Sequence, residues 1–485
     1  MSSFRWTIAL LLGVFSLCAS AQVSLSAKPD LTLTGTATRA DFMHYLEVPF
    51  TVPEHVTRVS VELNYTEKDK RTTLDLGVYD SERFRGWSGG NKNFFSIGVS
   101  DATPSYLSGL IPAGQWHVIL GVPSIHEGVT SHYEIKVWFG HGDDKTAVST
   151  FSREPLRAGP AWFRGDLHMH DGHSDGSCNS QSGKRVPCPL YRTVESAAKR
   201  GLDFISITDH NTTAHYDAMR ELQPAFDQLL LIPGREITTF YGHANVWGTA
   251  EQIDFRLGSS SVPDFATIQN RVQQLGAILS LNHPASPSGE ACMGCGWTAK
   301  TDWSRITAIE AVNGGTTSGP RSGIPYWEAR LNEGYRIAGI GGSDNHNGPA
   351  PLQFPSSIGW PTTVVYAANL SEHAILDGIR AGHVYVVTQG TKSTMEWTAD
   401  AGGQHGMMGD ILHAETGTKV QFALALSGVE NGTPEIIEDG NIVAKAAETS
   451  SFSLTSDGKR HWVRVNVRDA NGELLIMGNP IYLNF

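Results

Sequence analysis

The sequence predicts an α/β protein: a central region of parallel strands with crossover helices, flanked on both sides by β domains. Three observations predict it. Residues from about 25 to 155 alternate apolar and polar with turn residues between them. From Phe163 onward, short runs rich in Ile, Val and Leu alternate with helix-patterned stretches, the mark of strand–helix–strand crossovers. Strand alternation returns after about residue 386. At 485 residues the chain has room for about three domains. With 37 basic against 49 acidic side chains, a formal charge of −12, it lacks the basic stripe that bulk nucleic-acid binding needs.

Taken in order, residues 1–21 read as an export signal: Arg5, a short apolar run from Thr7 to Cys18, and Ala19-Ser20-Ala21 before a cleavage at Gln22. That run is too short to span a bilayer, and no later stretch reaches membrane length. The chain is therefore expected to be exported, periplasmic or secreted, with no membrane span after cleavage. Residues 25–155 read as an N-terminal β-sandwich, on strands such as Thr57–Asn64, Trp116–Val122 and Tyr133–Phe139. Residues 156–390 carry the apolar runs Leu202–Ile207, Leu229–Ile232, Ala277–Leu281, Ile306–Ile309 and Arg336–Ile340. Helical spacing lies between them, at Tyr191–Arg200, Tyr216–Leu222, Val262–Leu275 and Tyr326–Glu333. Residues 391–485 read as a smaller β domain, with Lys419–Leu426 and His461–Val467 as its clearest strands.

Beyond the signal four cysteines remain. Export favours disulfides, and local closure pairs Cys178 with Cys188 and Cys292 with Cys295. The rival reading is a four-thiolate zinc site, because Cys292-Met-Gly-Cys295 has zinc-knuckle spacing.

The chemistry-bearing residues stand where the apolar runs end. Asp166-Leu-His168-Met-His170 puts two imidazoles on one face of an extended strand, with Asp175 following in the turn Ser174-Asp175-Gly176. Further runs lead into Thr208-Asp209-His210, into Glu236 with His243 beyond it, into Asn282-His283-Pro284, and into Ser343-Asp344-Asn345-His346. Nine such side chains converging at strand ends would leave unpaired polar groups buried unless cations compensate. Imidazole with carboxylate and no thiolate suits Zn, Mn or Fe.

In combination these motifs resemble the PHP (polymerase and histidinol phosphatase) superfamily of metallohydrolases. The Gly242-His-Ala-Asn245 form and the flanking β domains look most like its CehA/McbA, or carbaryl-hydrolase-type, branch. The resemblance covers about residues 163–390 and implies a distorted seven-stranded β/α barrel holding two or three divalent metal ions. Residue by residue, it implies that His168, His170, Glu236 and Asp344 hold one metal. Glu236, His243 and His283 would hold a second, with Glu236 bridging, and Asp175, His210 and His346 a third. Many members carry His where Asp175 stands.

Other residues are open to two readings. Asp209 is either an ordinary strand-end carboxylate or the partner that orients a ligating imidazole. His173 lies between His170 and Asp175, but the spacing favours Asp175. Asn211, Asn245 and Asn313, also at strand ends, are candidates to line a substrate pocket. Arg235 alternates away from Glu236, and Lys184, Arg185 and Arg321 read as solvated surface charge. The expectation is an exported hydrolase of a small-molecule ester, working through a metal-activated hydroxide. Phosphomonoester or phosphodiester hydrolysis is favoured on superfamily breadth, with carboxylic ester or carbamate hydrolysis next. The reading from another class is a non-catalytic surface- or carbohydrate-binding protein on a degenerate barrel.

Overall fold

The computed structural model describes residues 28–142, 151–152, 154–290, 292–351, 355–390, 392–429, 432–445 and 451–485. The expected export signal lies outside the described residues. No described helix is long and apolar enough to cross a membrane.

The first unit is two four-stranded antiparallel sheets face to face. One orders Leu31–Thr38, Thr130–His141, Val56–Tyr65 and Phe94–Gly98; the other orders Tyr45–Val52, Gly114–Ser124, Thr73–Tyr79 and Phe84–Gly89. Period-two alternation sends Val59, Val61, Ile135 and Val137 from one sheet against Leu76, Val78, Val118 and Leu120 from the other. This sandwich is tied to the next unit by Asp217, which accepts from the Ala102 N–H at 2.7 Å and from Ser108 Oγ at 3.0 Å.

The central unit corrects the expected fold. The described residues hold thirty strands and only five α-helices, so the chain is β-rich and a seven-stranded β/α barrel is not what it builds. Two separate sheets take its place. In the first, Ala161–Asp166, Phe204–Ile205 and Leu230–Leu231 are parallel neighbours, and Thr362–Ala367 pairs antiparallel to Ala161–Asp166. The second is five-stranded, in the order Gly234–Thr239, Gly242–Trp247, Ile278–Leu281, Ala308–Asn313 and Ala338–Gly342. Its first two strands form an antiparallel hairpin with no helix between them. That hairpin breaks the alternation of strand and helix, and the period argument missed it for a physical reason. Gly-Arg-Glu-Ile-Thr-Thr and Gly-His-Ala-Asn-Val-Trp are nearly all buried yet carry charged and polar side chains, so they do not scan as apolar runs.

Four helices lie on or near the predicted spacing: Leu190–Lys199, Tyr216–Leu222, Phe265–Gln274 and Ile324–Asn332. A fifth, Glu372–Ala381, starts where Ser371 Oγ accepts the Ala374 N–H and stops at Gly382, whose φ of +75° suits glycine. Between the sheets lies a core of Phe163, Phe204, Trp247, Ile278, Ile340 and Val365.

The first sheet does not stop at the central unit. Val384–Val387 pairs with Thr362–Ala367 on one side and with Leu474–Gly478 on the other. Through it the sheet continues into His461–Arg468, Thr433–Glu438 and Asn441–Lys445, reaching eleven strands in all. A four-stranded antiparallel sheet, led by Thr394–Ala401 and Lys419–Ser427, packs with it around Trp397, Phe422, Val465 and Ile476.

The two central sheets touch along two seams of single β-bridges, His210 to Glu236 and Met169 to Asn345. Both seams fall on or beside the residues singled out from the sequence.

Candidate metal centre

Glu236 is the hub. It is fully buried on Gly234–Thr239, and its carboxylate faces five imidazoles. Oε1 lies 3.5 Å from His168 Nε2, 3.3 Å from His243 Nδ1 and 3.5 Å from His283 Nε2. Oε2 lies 2.8 Å from His210 Nδ1 and 3.6 Å from His170 Nε2. Asp344 closes the other side, with Oδ1 3.3 Å from both His168 Nε2 and His170 Nε2. At the rim, Asp175 Oδ1 is 3.3 Å from His346 Nε2 and 3.7 Å from His210 Nε2. All nine ligand-type side chains named from the strand ends therefore meet in one cleft.

Several of these contacts are not hydrogen bonds. His168 Nε2, His170 Nε2, His243 Nδ1 and Glu236 Oε2 are buried and have no hydrogen-bond partner. Such orphans are costly unless a cation sits among them. The spacing fits one: four ligand atoms placed tetrahedrally, each roughly 2.1 Å from an ion, stand ~3.4 Å apart. Ligand atoms of His168, His170 and Glu236 lie within 4.8 Å of one another, as do those of His168, His283 and Asp344, and those of His170, Asp175, His210 and His346. The donor set fits divalent ions.

The outer contacts decide which imidazole nitrogen faces the cleft. His168 Nδ1 donates to Glu310 Oε1 at 2.6 Å, leaving Nε2 as the free lone pair. His243 Nε2 donates to the Met293 carbonyl at 3.1 Å, leaving Nδ1 free toward Glu236. His346 Nδ1 lies 2.9 Å from the Asp344 carbonyl, which leaves Nε2 toward Asp175. For His170 the partner of Nδ1 is Ser174 Oγ at 3.4 Å, and Ser174 in turn donates to Asp209 Oδ1. Asp209 thus reaches a ligand-type imidazole only through Ser174. Backbone strain aims the ligands too: His283 at φ +31° and Asp344 at φ +53° lie in the left-handed region.

Charges in the cleft lean on one another. Burial would raise the Glu236 and Asp344 carboxyls, but the imidazoles of His168 and His210 around Glu236, and of His168 and His170 around Asp344, hold both well below the usual carboxylate range. Burial also opposes the charged form of His168, yet Glu310, Asp344 and Glu236 drive it well above its ordinary value. Asp175 is pulled down to about 2, chiefly by the bond from His346.

The candidate asparagines divide. Asn211 is pinned to Thr238, accepting its N–H and donating to its carbonyl, both at 2.9 Å. It lines a cavity of about 480 Å³ together with Thr238, Phe240, Phe255, Leu257 and Met293. Asn313 Nδ2 bonds Glu310 Oε2 at 3.0 Å and reaches Asp344 Oδ2 at 3.4 Å, so it borders the cleft. Asn245 is fully buried and donates to the Leu167 carbonyl at 3.2 Å.

Sequence reasoning missed Glu310 and Asn282, the latter donating to Glu236 Oε1 at 2.8 Å. Glu310 carried a signal: a charged residue inside the otherwise apolar strand Ala308–Asn313 must have a buried partner.

The cysteines are paired as Cys178–Cys188 and Cys292–Cys295, with Cα atoms 4.9 and 5.6 Å apart. The first pair staples the loop after Asp175. The second holds the loop whose Met293 carbonyl fixes His243.

No family model matches the chain, and no curated protein matches it. Solved structures with partial likeness include a two-domain protein from Bacteroides vulgatus, named as containing a predicted PHP-like metal-dependent phosphoesterase. It is 17% identical, with a TM-score of 0.36 over 69% of this chain and 98% of that one. Another, from Bifidobacterium adolescentis and provisionally named a metal-dependent phosphoesterase, is 16% identical, with a TM-score of 0.28 over 44% of this chain and 94% of that one. The functional reading below rests on the cleft itself.

Proposed function

We propose that the chain is a divalent-metal-dependent hydrolase, and within that class an exported phosphoesterase of the PHP type on its CehA/McbA branch. The observation that carries the hydrolase reading is the hub: one buried carboxylate, Glu236, facing five imidazoles at 2.8–3.6 Å. Ions held there would acidify water and stabilise charge developing on a substrate oxygen.

The chain's own residues do the rest. Glu310, Met293 and the Ser174–Asp209 pair hold the imidazoles of His168, His243 and His170 with their free lone pairs inward. Asp175 and His346 stand at the rim, with side chains 59% and 34% exposed, where a substrate entering the cleft would meet them. Glu236, Asp344 and Asp175 contribute three negative charges. With the Glu310 carboxylate behind His168 as a fourth negative charge, two divalent ions would leave the site roughly neutral and three at roughly +2, the latter suited to an anionic phosphate ester.

One observation favours carboxylic ester or carbamate hydrolysis as the second reading. The cavity beside Asn211 is lined by Phe240, Phe255, Leu257 and Met293 along with Arg256 and Ser259, and its apolar wall would suit an apolar leaving group.

The test is a screen of metal-reconstituted protein against aryl phosphate monoesters and diesters, aryl carboxylates and aryl carbamates, with Glu236→Gln alongside. Phosphate ester turnover that chelation abolishes, and that Glu236→Gln lowers together with metal content, is expected. Turnover confined to carboxylates or carbamates would select the second reading. Wild-type stoichiometry and turnover in Glu236→Gln would overturn the site.

A further inference from the structure

Behind the imidazoles of His170 and His210 lies a second polar cluster that shares none of the nine cleft residues. Asp171, Asp209 and His215 are each 0% exposed, and His173 closes the group on the solvent side. One oxygen of each carboxylate is satisfied. Asp171 Oδ1 accepts the His173 N–H at 2.7 Å and faces His173 Nδ1 at 2.8 Å. Asp209 Oδ1 accepts the Asp171 N–H at 3.0 Å and the Ser174 hydroxyl.

The other oxygens are not. Asp171 Oδ2 and Asp209 Oδ2 are buried with no hydrogen-bond partner. His215 adds an independent observation. Its Nε2 donates to the Gly234 carbonyl at 2.9 Å, so Nδ1 carries the lone pair. That lone pair lies 3.7 Å from Asp209 Oδ2 and is itself buried and unpartnered. Ligand atoms of Asp171, His173 and Asp209 all fall within 4.8 Å of one another. Two carboxylate oxygens and an imidazole lone pair, sealed from water with no donor among them, call for positive charge.

We propose a further divalent-cation site here, held by Asp171, Asp209 and His173 with His215 Nδ1 beside it. The mixed oxygen and nitrogen set suits Zn or Mn, whereas Ca would need six to eight oxygens. Asp171 follows His170 and Asp209 precedes His210, so an ion in this position ties together the backbone behind two cleft imidazoles. Its role is structural. It orders the His170–Gly176 turn and contacts no substrate.

The experiment is anomalous X-ray diffraction from crystals of the full chain soaked in Mn²⁺, with elemental analysis of the wild type, Asp171→Asn and Glu236→Gln. A peak between Asp171 and Asp209, resolved from any in the cleft, is expected. Asp171→Asn should lose one ion per chain, and Glu236→Gln should keep that ion while losing cleft metal. Cleft peaks with none between Asp171 and Asp209 would overturn the inference and leave the hydrolase reading standing. The reverse pattern would overturn the hydrolase reading alone, and a map with no peaks would overturn both. Unchanged stoichiometry in Asp171→Asn also counts against the inference. If that variant fails to fold, the wild-type map decides.

Discussion

Replacing Glu310 by Gln separates the role of an ion ligand from that of the residue holding the ligand in place. Glu310 makes three contacts with its two oxygens: Oε1 accepts from His168 Nδ1 at 2.6 Å, while Oε2 accepts the His283 N–H at 2.9 Å and Asn313 Nδ2 at 3.0 Å. An amide has one oxygen. Placed toward His283 and Asn313, it turns its NH₂ toward His168 Nδ1, and the imidazole must accept there and carry its proton on Nε2, inside the cleft. Placed toward His168, it sets an NH₂ against two donors, at a cost of about 1–3 kcal/mol. Loss of such an outer carboxylate weakens metal binding roughly 10–100-fold, and the tautomer conflict puts Glu310→Gln at the upper end, about 2.7 kcal/mol. Competition against a chromophoric chelator reads the affinity, and ¹⁵N spectra of His168 read the tautomer. An unchanged Kd with Nδ1 still protonated would refute the reasoning, whatever happens to stability.

Three further outcomes are expected. Glu372 is buried with both oxygens unpartnered, and burial pushes its carboxyl up to about 8. The folded state therefore holds a proton that the unfolded state releases at its ordinary value of 4.5, so stability falls as pH rises from there to about 8. Glu372→Gln should flatten that slope and gain on the order of a few kcal/mol over wild type at ~pH 8.5 but little at ~pH 4, by urea denaturation; parallel curves would refute it. Replacing Cys178 and Cys188 together by Ser opens a closure of 10 residues and should cost about 3 kcal/mol, read as a lower denaturant midpoint that reductant shifts less than it shifts wild type, since only Cys292–Cys295 remains to be reduced. A chain ended at Gly390 strips Leu474–Gly478 from Val384–Val387 and bares an apolar strand edge. It should aggregate, and a monodisperse truncated protein in light scattering would contradict the shared sheet.

The nine cleft residues were legible because most stand at or just beyond the end of an apolar run, and because spacings of two, as at His168 and His170 or Asp344 and His346, fix a common face. Glu310 was not, since its strand neighbours are Ile309 and Ala311 and its partner His168 lies 142 residues away in sequence. For Asn245 alternation locates a face, but the carbonyl of Leu167, far away in sequence, is what takes its amide. Much of the strand pattern was readable, but its closure was not. The runs at Leu202–Ile207 and Leu229–Ile232 become strands of only two residues, Phe204–Ile205 and Leu230–Leu231. The hairpin from Gly234 to Trp247, and the pairing of Val384–Val387 with Leu474–Gly478, depend on contacts between segments that no local period encodes.

The seams between the two central sheets bear on when an ion is acquired. His168, His170, Asp175 and His210 follow strands of one sheet, whereas Glu236, His243, His283, Asp344 and His346 belong to or follow strands of the other. Each cluster of cleft ligands that includes His168 or His170 draws on both. A growing chain that has not yet delivered Asp344 and His346 therefore lacks the carboxylate that closes the far side of the cleft and the imidazole at its rim. The full ligand set exists only once synthesis has passed His346 and the sheets have docked. The metal present where the sheets dock is then the one the complete cleft meets first.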